Sequence, residues 1–213
     1  MNVVTAATPP LFKNGFVVSC EHTAEAVLID PGDEVDELIA VARVQALAVR
    51  AILLTHAHFD HVTGVERAKR AFGVDIWLHP ADRPLYDAAP AQAELFGFRI
   101  DPPPPVDVFY QPDTRFRFGR LIADVLATPG HSPGGVCLAI GPSDSDAREL
   151  FVGDTLFAGS IGRTDLPGGN LDVLLRSIRE VLFAFPDETP IHPGHGPSTT
   201  IGAERRSNPF LVQ

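Results

Sequence analysis

Cysteine is scarce: Cys20 and Cys137 are the only two among 213 residues. Met1–Pro10 has neither a basic n-region nor an apolar h-region, so no secretory leader is expected. Without export, both thiols read as reduced, small core side chains rather than a bridge. Long apolar runs are missing too. No segment approaches the roughly 18 apolar residues of a membrane helix, so no membrane association is expected. Basic charge is short as well: 17 Lys and Arg against 27 Asp and Glu give a formal net charge of −10. Nucleic-acid binding rests on cations set against phosphates, and this balance argues against it. The expectation is a soluble, cytoplasmic protein, monomer or homodimer, whose partner is a small molecule.

Imidazole is locally abundant. Thr55-His56-Ala57-His58-Phe59-Asp60-His61 places three histidines and a carboxylate directly behind the apolar run Ala51-Ile52-Leu53-Leu54. Imidazole with carboxylate suits zinc, iron or manganese. A loop this short holds more ligands than one tetrahedral ion takes from it, which points to two metals. A histidine tag would be terminal and monotonous; this run is internal and interleaved. Three later apolar segments stop in the same manner. Leu121–Ala127 leads to Thr128-Pro129-Gly130-His131, Glu149–Gly153 to Asp154, and Thr189–His192 to Pro193-Gly194-His195. Short apolar runs bounded by Gly or Pro read as buried strands. Ligands just past the carboxyl ends of several strands converge on one sheet edge. His131, Asp154 and His195 are candidate ligands by that shared placement.

The remaining pattern organises the chain into two strand-rich halves. Phe16–Cys20 and Ala26–Asp30 read as a hairpin closed by Pro31-Gly32, with Asp33 capping a helix that buries Val35, Leu38, Ile39 and Ala42. A helix over Val65–Phe72 ends at Gly73, and Asp75–Leu78 is a strand with Trp77 in the core. A helical excursion near Ala81–Phe96 precedes Pro102-Pro103-Pro104-Pro105, a stiff surface crossover. Strands recur at Phe116, Leu121–Ala127, Val136–Ile140 and Leu150–Val152. Leu171, Leu174, Leu175, Ile178, Val181 and Leu182 follow helical spacing, and Ser198 or Thr199 caps a last helix stopped by Asn208-Pro209. Two sheets packed face to face with helices outside are expected. His22, His79 and His192 read as structural.

His56-x-His58-x-Asp60-His61 followed by His131, Asp154 and His195 resembles the full ligand set of the metallo-β-lactamase superfamily. Thr128-Pro129-Gly130-His131-Ser132-Pro133-Gly134, Phe151-Val152-Gly153-Asp154-Thr155-Leu156-Phe157 and Gly162-Arg163-Thr164-Asp165 resemble its glyoxalase II (hydroxyacylglutathione hydrolase) branch. Pro193–Thr200 and Glu204–Phe210 are similar to the short, single-domain bacterial members. The resemblance implies one αββα sandwich spanning residues 1–213 with the metal site at one edge, and no C-terminal glutathione-binding helical domain. It implies His56, His58 and His131 on a first metal, Asp60, His61 and His195 on a second, and Asp154 bridging; Asp60 and Asp154 are its catalytic carboxylates. The cofactors implied are two divalent ions, zinc first, with iron or manganese as alternatives. The implied activity is cleavage of small acyl thioesters of the lactoylglutathione type by a metal-bound hydroxide. A thiolate with a pKa near 8.5 leaves without a general acid, which suits the absence of an extra acid in these motifs. Arg163 reads either as an anchor for a substrate carboxylate or as the partner of Asp165. A mononuclear-iron persulfide dioxygenase of the same branch, using His56, His131 and Asp154, is the rival expectation, followed by a lactonase; a β-lactamase is less favoured for want of a secretion signal.

Overall fold

A computed structural model describes residues 1–212. The first sheet runs in sequence order through β1 (Asn2–Ala6), β2 (Gly15–Ser19), β3 (Glu25–Ile29), β4 (Ala48–Leu53), β5 (Asp75–Leu78) and β6 (Val108–Phe109). Its first three strands are antiparallel and the rest parallel. Strands β7 (Arg115–Phe118), β8 (Leu121–Ala127), β9 (Val136–Pro142) and β10 (Glu149–Gly153) open the second sheet as an antiparallel meander. The ribbon β11 (Leu156–Phe157) and β12 (Ser160–Ile161) follows. The second sheet is completed by β13 (Pro190–Pro193), parallel to β10, and by β14 (Thr199–Thr200) at the edge. The helices are α1 (Val35–Val44), α2 (Phe59–Val62), α3 (Val65–Phe72), α4 (Arg83–Asp87), α5 (Ala89–Leu95), α6 (Leu171–Glu180) and α7 (Ile201–Ser207).

Strand alternation builds three apolar layers. Val17, Leu28, Ile52 and Ile76 face outward against Val35, Leu38 and Val65 of α1 and α3. Phe16, Val18, Val27, Ile29, Ala51 and Leu53 face inward and meet Ala123, Leu138, Ile140 and Phe151 of the second sheet. Cys137, Ala139, Leu150 and Val152 point outward again, onto Leu174 and Ile178 of α6. Each central strand is therefore buried on both faces, which is why it reads as an unbroken apolar run. The arrangement is the expected αββα sandwich. Both cysteines are buried free thiols, and among the described residues no helix is long and apolar enough to cross a membrane.

Three local expectations need correction. The β2–β3 hairpin is closed by residues 20–24, where Thr23 and Ala24 donate to the Cys20 carbonyl. Pro31-Gly32 instead opens the crossover to β4, because β3 and β4 are parallel and need a helix between them. Asp33 does not cap α1: the cap position is Glu34, whose Oε1 accepts from Gly32 N–H at 2.8 Å and from Lys13 Nζ at 2.6 Å. The last helix is capped by Thr200, whose hydroxyl accepts from Ala203 N–H. Ser198 is instead paired with His192, and Thr199 donates to Glu204. The stop at Gly73 (φ 67°), the two short helices within 83–95 and the strand-free proline run stand as expected.

What matters for the site is where strands end. β3, β4, β8, β10 and β13 all deliver a His or Asp one to four residues past their last residue, and these loops meet at one edge of the sandwich.

Candidate metal centre

Three ring nitrogens converge first. His58 Nδ1 and His131 Nε2 lie 2.8 Å apart, and His131 Nε2 and His56 Nε2 lie 3.3 Å apart. All three side chains are buried. A second set lies beside it. Asp60 Oδ2 is 3.1 Å from His195 Nε2 and 3.8 Å from His61 Nε2. In each group the donor atoms fall within 4.8 Å of one another. Asp154 stands between the groups, with Oδ1 3.3 Å from His61 Nε2 and Oδ2 3.6 and 3.7 Å from His131 and His195 Nε2.

The outward-facing nitrogens explain how these rings are held. Asp30 Oδ2 pairs with His61 Nδ1 at 2.9 Å and accepts the Thr55 hydroxyl at 2.5 Å, while Thr55 Oγ1 also contacts His56 Nδ1 at 3.1 Å. The Arg163 carbonyl accepts from His131 Nδ1 at 2.8 Å. Such partners fix the ring and leave the opposite nitrogen free for a cation. Asp82, fully buried, accepts from Ala57 N–H, Gly134 N–H and the Ser132 hydroxyl, tying the loop after β4 to the loop after β8. Burial pushes its pKa above the usual carboxylate range even so. On the far side, Asn14 Nδ2 donates to the carbonyls of Pro193 and Gly196, and Asn14 N–H donates to Gly194, so this one residue holds the chain on both sides of His195. The neighbouring Lys13 pairs with Glu34 in a buried ion pair and donates to the Asp30 carbonyl.

Electrostatics divide the groups. Burial drives His56 well below the usual imidazole value and His58 down to about 4, so both are neutral with a lone pair to donate. Burial lowers His61 also, but the carboxylates of Asp60, Asp154 and Asp30 outweigh it and hold the ring up to about 10. A cation taking that place displaces a proton. The donor set fits divalent metal ions. His61 Nε2 and Asp154 Oδ1 are buried without a hydrogen-bond partner, a costly state for polar atoms unless something charged meets them. Gly194 keeps the space beside them open, since a side chain there would collide with Asp154 Oδ1 and approach His61 Cε1 to 2.7 Å.

A family model described as the metallo-beta-lactamase superfamily matches residues 8–195. The chain belongs to that superfamily. Hydroxyacylglutathione hydrolase GloC of Haemophilus influenzae is 41% identical over 202 residues, covering 94% of this chain and 93% of that protein. Among solved structures, the B3 metallo-beta-lactamase BLEG-1 superposes with a TM-score of 0.90 at 37% identity, covering all of both chains. TTHA1623 in a di-iron-bound form gives 0.86 at 43% identity, over 98% of this chain and all of that one. ETHE1 from Myxococcus xanthus gives 0.79 at 28% identity, over 98% of this chain and 84% of that one. The chain is thus a metallo-hydrolase of the superfamily, with His and Asp groups suited to divalent ions.

All seven ligand candidates named from the sequence, His56, His58, Asp60, His61, His131, Asp154 and His195, come together in this superfamily member. Five of them, His58, Asp60, His131, Asp154 and His195, line a cavity of about 380 Å³. Arg163 lines it too, and its guanidinium makes two 2.8 Å bonds to the Asp165 carboxylate. Those bonds hold the Asp165 carboxyl down to about 2. His192 is structural: it contacts Glu149 Oε2 at 2.7 Å and stacks on Phe151. His79 accepts from Ala81 N–H. Sequence reasoning missed Asp30, Thr55, Asp82 and Asn14 as supports. Asp30 was findable, since it follows the apolar run Ala26–Ile29 as Asp154 follows its strand. Asp82 and Asn14 carry no such signal.

Proposed function

We propose that the protein is a hydrolase of small acyl thioesters, hydroxyacylglutathiones such as lactoylglutathione among them, working with two divalent metal ions, zinc or iron. The observation that carries this reading is Asp154, set within 3.3–3.7 Å of donors from both groups. His56, His58 and His131 would hold one ion, Asp60, His61 and His195 the other, and Asp154 would serve both. Ions held there lower the pKa of water toward about 7 and stabilise negative charge on an acyl oxygen.

The protein's own residues do the rest. Asp154, within reach of donors from both groups, would offset the repulsion of two like charges held there. Asp30 and Thr55 fix the tilt of His61 and His56. Leu11, Phe59 and Ile161 form an apolar wall of the cavity, and low-dielectric surroundings of that kind strengthen electrostatics within. Apart from the candidate ligands and Arg163, no titratable side chain among the described residues lines the cavity. A leaving group that needs a proton would find no donor, whereas a thiolate, with a pKa near 8.5, needs none. The name of the Haemophilus influenzae relative agrees with this reading.

The similarity to ETHE1 supports the second reading, a mononuclear-iron dioxygenase acting on persulfides. It leaves His58, Asp60, His61 and His195 without a role, although they are assembled as closely as the others. The deciding experiment is a comparison on metal-loaded protein of lactoylglutathione hydrolysis, oxygen uptake with glutathione persulfide, and hydrolysis of a lactone and a β-lactam. Thioester cleavage at the fastest rate is expected. Rapid oxygen uptake without thioester cleavage would overturn the hydrolase reading.

A further inference from the structure

The walls of the metal-lined cavity point to one part of the substrate. Leu11, Phe59, Phe96, Phe157, Ile161 and Leu166 line it beside the ligand set. They come from five separate parts of the chain: the segment before β2, the start of α2, the residue just after α5, the β11–β12 ribbon, and the loop before α6. Phe59 directly follows His58, and its ring stacks on Phe96 with centroids 5.5 Å apart and planes 25° apart. Across the site the Phe157 ring stands edge-on to His195, 6.2 Å between centroids. Phe96 is 46% exposed, so much of its ring stays open to solvent even with Phe59 stacked on it. A hydroxylated or charged acyl group gains nothing from such walls, while an apolar one gains with every methylene removed from water.

The charges agree. Arg163 is the one cation among the lining residues, and Asp165 already engages it through two bonds. The remaining ionisable lining residues, Asp60 and Asp154 with the histidines, belong to the ligand set. No free protein cation waits there for the carboxylates of a peptide-like thiol carrier.

We infer that the substrates are thioesters of apolar acyl groups, straight-chain, branched or aromatic, recognised by the acyl part against Phe59, Phe96 and Phe157 and with little regard to the thiol carrier. This rests on the thioester hydrolase reading. The bond cleaved is acyl carbon to sulfur; water supplies the oxygen, and the products are a carboxylate, a thiolate and the two protons of that water.

The test is kcat/KM on metal-loaded enzyme for acetyl, butanoyl, hexanoyl, phenylacetyl and lactoyl esters of N-acetylcysteamine, and for the same acyl groups on glutathione. Each added methylene should raise kcat/KM about threefold to fourfold until the cavity fills. Hexanoyl should exceed lactoyl by more than about tenfold, and the two carriers should agree within about threefold at matched acyl group. Phe96→Ala, a change at an exposed position that leaves the buried layers alone, should flatten the chain-length dependence. Lactoyl equal to or better than hexanoyl, an unchanged slope in Phe96→Ala, or a strong preference for glutathione would overturn the proposal while leaving a thioester hydrolase in place. Cleavage of no thioester, with turnover in the persulfide or β-lactam assay, would overturn the hydrolase reading and this proposal with it.

Discussion

The two ligand groups differ in how they are enclosed. His56, His58 and His131 are 2%, 7% and 5% exposed, and their outer nitrogens or flanking loops are pinned by Thr55, the Arg163 carbonyl and Asp82. The Asp60, His61 and His195 group is mixed: His61 is fully buried, but the side chains of Asp60 and His195 are 14% and 32% exposed. The first is three buried imidazoles. The second is an open set rich in carboxylate, and its outermost ligand depends on a segment near the other end of the chain. Preorganisation without solvent favours tight, slowly exchanging binding, whereas partial exposure gives water and competing ligands a way in. The first group should therefore keep its ion where the second loses one.

Asp154→Ala breaks the comparison by removing what the groups share. Both ions should bind more weakly, and turnover should fall at least about hundredfold, the scale of losing a major electrostatic stabiliser. Elemental analysis and rates of the variant check this, and near-normal turnover would refute the shared role. His195→Ala sharpens the comparison. Occupancy should drop toward one ion, with the histidine group still loaded after dialysis against a mild chelator; equal loss from both would contradict the division. Asn14→Ala is a milder version of the same change. With the Pro193 and Gly196 carbonyls released, affinity for the second ion alone should weaken about tenfold, the lower range for a residue supporting a ligand. Metal titration followed by calorimetry separates that from general destabilisation, which would weaken both. Arg163→Ala should do least, changing KM for thioesters by less than about threefold, because an ion pair exposed to solvent contributes little. The bond that matters to His131 comes from the Arg163 backbone carbonyl and survives the substitution.

Most of the site was legible in the sequence because strand burial makes it so. β4 is buried from Ala51 to Leu53 and β10 from Leu150 to Gly153, so each reads as an apolar run whose abrupt end before a His or Asp is conspicuous. The fold class followed from the same runs. Local turn chemistry was less legible. Pro31-Gly32 has the composition of a hairpin turn, yet it begins a parallel crossover, a choice made by strand pairing rather than by the dipeptide. The cap of α7 slipped from Ser198 or Thr199 to Thr200 because three hydroxyl residues in a row look alike until backbone angles are set. Asp82 and Asn14 were invisible for a different reason. Each acts by hydrogen bonds to backbone far along the chain, Asp82 to Gly134 and Asn14 to Pro193 and Gly196, and nothing beside either residue signals that. Supports follow from topology, ligands from local pattern.

The central claim is a two-ion centre divided by Asp154, and stepwise metal titration of the apoprotein with activity followed at each addition tests it most directly. Two ions bound per chain, the first tightly and the second more weakly, with thioester hydrolysis appearing only as the second binds, is the predicted result. Saturation at a single iron with full activity would contradict the account.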